Sequence, residues 1–270
     1  MTENTFDYVI SGGAAGKSRL NMLASVMEPY THDLLTRMGV QQGSVFLDNG
    51  CGGGNVAIMV AKMTGDTGSV TAIDFDEEII RLAEQDRVQE QLHQLTFLAR
   101  SSYDLSYSNT FDFSYARFLL SHLKYPLEAL LRMKEAVKPG GKVIVEDVHF
   151  SGHFCYPANA AFDRYLDLYA AVVRQKGGNA ELGPALPGMF RKAGLQQIGF
   201  DVIQPCFGSG DGKWMSYITM ARIKASLLQE QIAEEGEINS VLQQLEMFTA
   251  QEDSIVSLPR IFRVWGVKEG

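Results

Sequence analysis

Residues 45–60 read VFLDNGCGGGNVAIMV, and the rest of the chain is arranged around them. An apolar run, Val45-Phe46-Leu47, ends in an acid, Asp48. Glycines follow at Gly50, Gly52, Gly53 and Gly54, and small apolar residues then recur at helical spacing at Val56, Ala57, Met59 and Val60. This order predicts a strand, a tight turn and a helix. Glycine has no Cβ and a helix start has unpaired N–H groups, so such a turn lets backbone approach a ligand closely.

Outward from this unit the alternation repeats. The turn Gly65-Asp66-Thr67-Gly68 leads into an apolar run at 69–73, closed by Asp74. FDEEIIRLAEQDRVQEQL then reads as a helix with Ile79, Ile80, Leu82 and Ala83 inward. Runs at 95–98 and 111–115 read as strands, and 125–137 as a helix burying Leu127, Leu130, Leu131 and Met133. Lys138-Pro139-Gly140-Gly141 predicts a helix end and a sharp turn before a strand at 142–145, closed by Glu146 and Asp147. Strands alternating with helices predict an α/β fold: a doubly wound, mostly parallel, Rossmann-like sheet. Upstream, 18–38 is expected to be helical, capped by Ser18 and broken in two at Pro29. Downstream the expected order is a loop at 149–157, helices at 158–176 and 187–194, and a strand at 195–207. A helical stretch at 212–250 and a strand at 259–267 complete the chain. The last two strands would pair antiparallel at the sheet edge and complete seven. The expected division is an N-terminal helical lid segment at 1–38, an α/β core at 39–150, and the rest of the sheet at 151–270, with helical cap insertions at 149–185 and 208–258.

A formal charge of −8 over 270 residues argues against nucleic acid as a partner. Three widely spaced cysteines, Cys51, Cys155 and Cys206, suggest neither a disulfide framework nor a metal site, which makes the cytoplasm the expected location. MTENTFDYVI lacks the apolar core of a secretory signal, and no window has the length of a membrane span. Gly16-Lys17-Ser18 looks like the end of a phosphate loop, but that pattern needs glycine where Ser11 stands.

Asp48, Asp74, Ser101-Ser102, Tyr115-Ala116-Arg117 and Glu146-Asp147 each fall at or just past a predicted strand end. In open α/β sheets the ligand crevice lies at these ends, where the strand order reverses. A dinucleotide fingerprint counted from Gly50 meets Asn55 where it needs glycine, and counted from Gly52 ends at Ala57. The spacing Asp48-x-Gly50-x-Gly52-x-Gly54 instead resembles the D/E-x-G-x-G-x-G motif of class I S-adenosylmethionine-dependent methyltransferases, in their small-molecule, ubiquinone- and menaquinone-methylating branch. Asp74 at the second strand end, FDFSYARFLLSHL, LLRMKEAVKPGGKVIVED and the terminal RIFRVWGV extend the resemblance, most densely over 40–150.

The resemblance implies S-adenosylmethionine as cofactor. Gly50, Cys51, Gly52 and Gly54 would cradle its methionine and ribose, with Asp48 orienting the loop or the ammonium. Asp74 would accept from both ribose hydroxyls. Phe75 would pack on adenine, with Ser101 and Ser102 at its edge, where relatives often carry an acid. Tyr115 to Phe118, with Ala116 and Arg117, would lie beneath the sulfonium. Arg19 is either a solvated cation or a carboxylate partner, and Tyr8 is placed at the same site. Glu146 and Asp147 are either loop acids or functional. Methyl transfer to a hydroxyl, thiol or protonated amine needs a base, and the candidates are His122, His149 and His153. Tyr8, Phe150, Phe154, Tyr156 and Trp214 would wall an apolar pocket for a small organic acceptor. The alternatives are an NAD(P)-dependent oxidoreductase, or a binding module on a nucleotide fold without catalysis.

Overall fold

A computed structural model describes residues 13–270. The first half runs α1 (Gly13–Met38), β1 (Val45–Asn49), α2 (Asn55–Thr64), β2 (Ser69–Asp74), α3 (Glu77–Gln89), β3 (Leu95–Ala99), β4 (Phe111–Arg117), α4 (Pro126–Ala136) and β5 (Val137–His149). The second runs β6 (Cys155–Tyr156), α5 (Ala160–Gln175), α6 (Leu186–Lys192), β7 (Gln196–Ile203), β8 (Cys206–Phe207), α7 (Met215–Gln229), α8 (Glu235–Thr249), β9 (Ile255–Ser257) and β10 (Arg260–Val267).

Seven strands form one sheet in the order β3-β2-β1-β4-β5-β10-β7. The first five pair in parallel, whereas β10 runs antiparallel to both β5 and β7. The antiparallel pair expected at the edge is therefore present, with β7 outermost and RIFRVWGV bonded on both sides. The strand order reverses at β1 and β4, which opens a crevice at their carboxyl ends. Buried apolar residues cover both faces of the sheet: Phe46, Val60 and Ile144 belong to one layer, Leu47, Leu130 and Val145 to the other. A further core holds α5, α7 and α8 together through Phe162, Val172, Met220, Leu227 and Leu245. Among the described residues no helix is long and apolar enough to cross a membrane.

Four sequence expectations change. The first helix already includes Gly13 and runs unbroken through Pro29, so Ser18 lies inside it rather than capping it. Proline removes one donor from the ladder, but tertiary bonds hold this turn: Arg263 donates to the Tyr30 carbonyl at 3.0 Å, and the next residue, Thr31, is bonded to the sheet. On this helix Lys17 donates to the Leu82 carbonyl and pairs with Asp86, both at 2.8 Å. Pro139-Gly140-Gly141 is not a turn before a strand but an irregular stretch of β5, where the register to β4 shifts between Phe111 and Phe113. There Gly140 N donates to Lys268 O and Lys268 N to Gly141 O, both at 2.9 Å. Finally, the strand expected at 195–207 ends at Ile203, and after Gln204-Pro205 the chain joins a separate small sheet, β6-β9-β8. Proline cannot donate to a ladder, so the strand divides at that point.

Candidate functional site

The glycine turn hangs from the end of β2, because Gly50 N and Cys51 N both donate to Ile73 O, at 2.8 and 2.9 Å. Gly50 and Gly54 have φ of 74° and 82°, where L-residues are strained. Space is also short: a Cβ on Gly50 would sit 2.7 Å from Leu119, and one on Gly54 2.6 Å from Phe97. The turn can thus run directly along the crevice, with Gly50, Cys51 and Gly52 lining it and Gly54 packed beneath as the start of α2.

Asp74 braces this turn. Its Oδ2 accepts from Gly52 N at 2.9 Å and its Oδ1 from Asp76 N at 3.1 Å. It does not cap α3; Asp76 does, accepting from Glu78 N and Ile79 N at 2.9 and 3.1 Å. Burial raises the Asp74 pKa, and the two N–H bonds pull it back. An ionised carboxylate has about four lone-pair sites, so Asp74 keeps acceptor capacity for a vicinal diol in the cavity it lines.

Asp48 is almost fully buried, and its Oδ2 has no hydrogen-bond partner among the described residues. Burial pushes its pKa up to about 7; Arg117 opposes that shift and Asp74 adds to it. A buried orphan acceptor beside a cavity is a demand for a donor, and a ligand ammonium meets it. Phe75 exposes 44% of its surface on the same rim. The cradle, the orphan acid, the diol acceptor and an aromatic ring on the rim together fit an adenosyl amino-acid ligand. Cys51 stays a thiol, because burial and the two acids push its pKa well up.

The floor is a chain of buried polar groups. Arg117 donates to Thr31 Oγ1 at 3.1 Å, Thr31 donates to Glu146 Oε2 at 2.7 Å, and the Tyr115 hydroxyl donates to the same oxygen at 2.5 Å. Asp147 accepts from Ser121 N and Val148 N at 2.9 and 2.8 Å, and burial raises its pKa to about 6. Glu146 and Asp147 are thus not loop acids: both lie within β5, fully buried. Glu146 ties α1 to the sheet, and Asp147 anchors the short turn Leu120–His122.

The other end of the cavity is aromatic. Phe150 stacks on Tyr169 with ring centroids 3.8 Å apart, and His153 lies against Phe150 at 4.5 Å and Tyr165 at 6.3 Å. The His153 Nδ1 is 2.7 Å from the Phe150 carbonyl oxygen, which can only accept, so Nδ1 carries the proton and Nε2 keeps its lone pair. Burial lowers the His153 pKa to about 4, leaving it neutral at pH 7. His122 lines the same space, its pKa lowered to about 4 by burial and by the Arg19 charge. Arg19 lines it too, buried, with Nε directed at Thr219 Oγ1 at 3.4 Å.

The cavity therefore brings together Arg19, Asp48, Gly50, Cys51, Gly52, Asp74, Phe75, Ser102, Arg117, His122 and His153. Several expectations do not hold. Ser101 turns away, accepting from Tyr103 N at 3.3 Å to cap the turn Ser102–Asp104. Ala116 is buried in the core beneath the sheet. His149 lies outside the cavity, 3.2 Å from both Ser151 Oγ and Glu181 Oε2. Arg19 is not a solvated surface cation. Phe154 and Tyr156 are exposed, and Trp214 packs on Tyr217 rather than on the cavity. Tyr8 lies outside the described residues. Sequence reasoning missed Tyr165 and Thr219. Tyr165 stands four residues before Tyr169 on α5, so helical periodicity contained it; nothing local marks Thr219.

A family model described as "Methyltransferase domain" matches residues 41–182, just over half of the chain. A demethylmenaquinone methyltransferase of Oceanobacillus iheyensis is 35% identical over 42% of this chain and 48% of its own length. One from Bacillus cereus is 29% identical over 60% of this chain and 73% of its own. The chain thus spans about half to three quarters of these curated relatives. Among solved structures, a phosphoethanolamine N-methyltransferase of Haemonchus contortus in complex with S-adenosyl-L-methionine superposes with a TM-score of 0.59. It is 16% identical and covers 94% of this chain and 57% of that one. The cyclase SpnF superposes at 0.52 with 19% identity over 88% of this chain and 80% of its own. At these identities the superpositions describe the fold alone.

Proposed function

The chain belongs to the methyltransferase-domain family, with S-adenosylmethionine as its cofactor, and from that premise we propose that it moves the cofactor's methyl group to a small organic acceptor held in the aromatic end of the cavity. The observation that carries the acceptor class is the box of Phe150, Tyr165 and Tyr169 around a neutral His153. Such walls suit a flat, largely apolar molecule, the kind of ring that the names of the quinone-methylating relatives describe.

The cofactor, when bound, supplies a methyl group on an already activated sulfonium leaving group. The protein's work is then mainly positioning. In this reading Asp74 accepts from the ribose hydroxyls while holding Gly52, and Phe75 covers the adenine. Asp48 takes the amino-acid ammonium, and the Arg117–Thr31–Glu146–Tyr115 chain fixes the floor below. His153, unprotonated at Nε2, takes the hydrogen of the attacking hydroxyl or amine of the acceptor. Well-placed proton transfer contributes on the order of 10²–10⁴ in rate.

The test is transfer of label from methyl-labelled cofactor into a small-molecule extract, supplemented with naphthols and quinols. Label should enter an aromatic small molecule. His153→Ala should slow that transfer about 100-fold with cofactor affinity intact, whereas His149→Ala should leave it near wild type. Intact cofactor binding with no transfer into any small molecule would sink the reading.

A further inference from the structure

Thr31 lies outside the cavity and still reaches one of its walls. It is fully buried on α1 and is no part of the lining, whereas Arg117, at the end of β4, is. The Thr31 hydroxyl sits between Arg117 and Glu146, and chemistry fixes the direction of both bonds. A guanidinium has donors only, so Thr31 Oγ1 accepts from Arg117 Nη1 at 3.1 Å. Its single proton is then left for Glu146 Oε2, at 2.7 Å. The Tyr115 hydroxyl donates to the same carboxylate oxygen. A valine would fill the same space and make neither bond.

The register of the sheet leaves Glu146 to this task. It stands across from Arg117 on β4 and from Arg263 on β10. Arg263 is taken elsewhere: its Nε and Nη2 bond the two oxygens of Asp201 at 2.5 and 2.7 Å, and its Nη1 donates to the Tyr30 carbonyl at 3.0 Å. The Tyr30-Thr31 step of α1 is therefore seated on three neighbouring strands, through a carbonyl to β10 and a hydroxyl to β5 and β4. We propose that Thr31 is a positioning residue for cofactor binding: without lining the cavity, it orders the Arg117 guanidinium in the cavity floor before the ligand arrives.

An arginine has a long, rotamer-rich side chain, and immobilising such a chain on binding costs affinity. A bond made at its tip beforehand removes part of that cost. The role rests on S-adenosylmethionine lying over this floor, as read above. It depends on one hydroxyl, which separates it from packing: serine keeps the hydroxyl and loses a methyl, whereas valine keeps the shape and loses the hydroxyl.

The experiment is calorimetric titration of S-adenosylhomocysteine into wild type, Thr31→Val, Thr31→Ser, Arg117→Met and the double variant Thr31→Val/Arg117→Met. Thr31→Val should bind about three- to tenfold more weakly, and Thr31→Ser should stay within about twofold of wild type. In the Arg117→Met background Thr31→Val should change affinity less than about twofold, because the group it orders is gone. Unchanged affinity in Thr31→Val, an equal loss in Thr31→Ser, or the same loss repeated in the Arg117→Met background overturns the proposal and leaves Thr31 as a packing residue. If a variant does not fold, nitrogen NMR of the wild-type complex decides alone. Arg117 Nη1 and Nη2 should then give separate, slowly exchanging signals, and one averaged signal refutes the anchoring. Wild type that fails to bind S-adenosylhomocysteine overturns the cofactor reading as well, a result distinct from intact binding in every variant.

Discussion

Asp48 is a carboxyl whose charge depends on its neighbour. Burial raises its pKa from 3.8 to about 7, so the fold without ligand favours the protonated acid. A raised folded-state pKa means that this group costs stability as pH rises from about 4 to 7, with no further loss above. A ligand ammonium against Oδ2 reverses the preference and favours the carboxylate. S-adenosylhomocysteine should therefore bind more tightly as pH rises from 6 to 8, and Asp48→Asn should flatten that slope; calorimetry across pH checks it. Without ligand, Asp48→Asn should melt about 2–4 °C above wild type at pH 8 and show less difference at pH 5. The acid itself was legible from its place before Gly50-x-Gly52-x-Gly54. Its orphan oxygen was not, because that depends on Arg117 and Asp74 arriving from two other strands. The histidines show the same limit: His149 and His153 flank one loop, and only the turn Phe150–Gly152 sends one outward to Glu181 and the other in against Phe150.

Elements were legible where local pattern and tertiary fate agree. The five parallel strands are apolar runs closed by polar residues, and burial on both faces is what such runs require. Elements misread were those set by distant partners: Pro29 sits in a helix held by Arg263 and Glu146, and Pro139-Gly140-Gly141 is drawn into β5 by Lys268. The glycines of the cofactor turn and of this β5 stretch differ accordingly. Gly54 and Gly140 both have positive φ, 82° and 79°. An added Cβ at Gly140 meets nothing within 4 Å, whereas at Gly54 it would lie 2.6 Å from Phe97 and 3.1 Å from Ala83. Gly140→Ala should cost about 1–2 kcal/mol of backbone strain alone. Gly54→Ala adds overpacking and should cost about 3 kcal/mol or more, together with weaker S-adenosylhomocysteine binding, because α2 and its turn must shift. Urea denaturation of the two variants separates strain from sterics; equal losses would show that the Phe97 contact yields freely.

The whole molecule has its cavity between the sheet and the helical core of α5, α7 and α8. Asp48 and Asp74 come from the sheet, whereas Tyr165, Tyr169 and Thr219 come from the helices. The helices have apolar packing of their own, so they can loosen without the sheet, and a ligand that touches both sides joins them. Leu227 is fully buried in that second core, away from the cavity lining. Leu227→Ala removes part of that packing and should cost the helical unit about 2–5 kcal/mol. Followed by hydrogen exchange, the variant should lose protection in α5, α7 and α8 while β1, β4 and β5 keep theirs. S-adenosylhomocysteine should slow exchange mainly along the sheet ends. A flat ligand of the aromatic end such as 2-naphthol, added to that complex, should restore protection in α5 and α7. Equal loss of protection in sheet and helices would mean that the two cores open as one unit, and access to the acceptor end would then require opening of the whole fold rather than of its helical side.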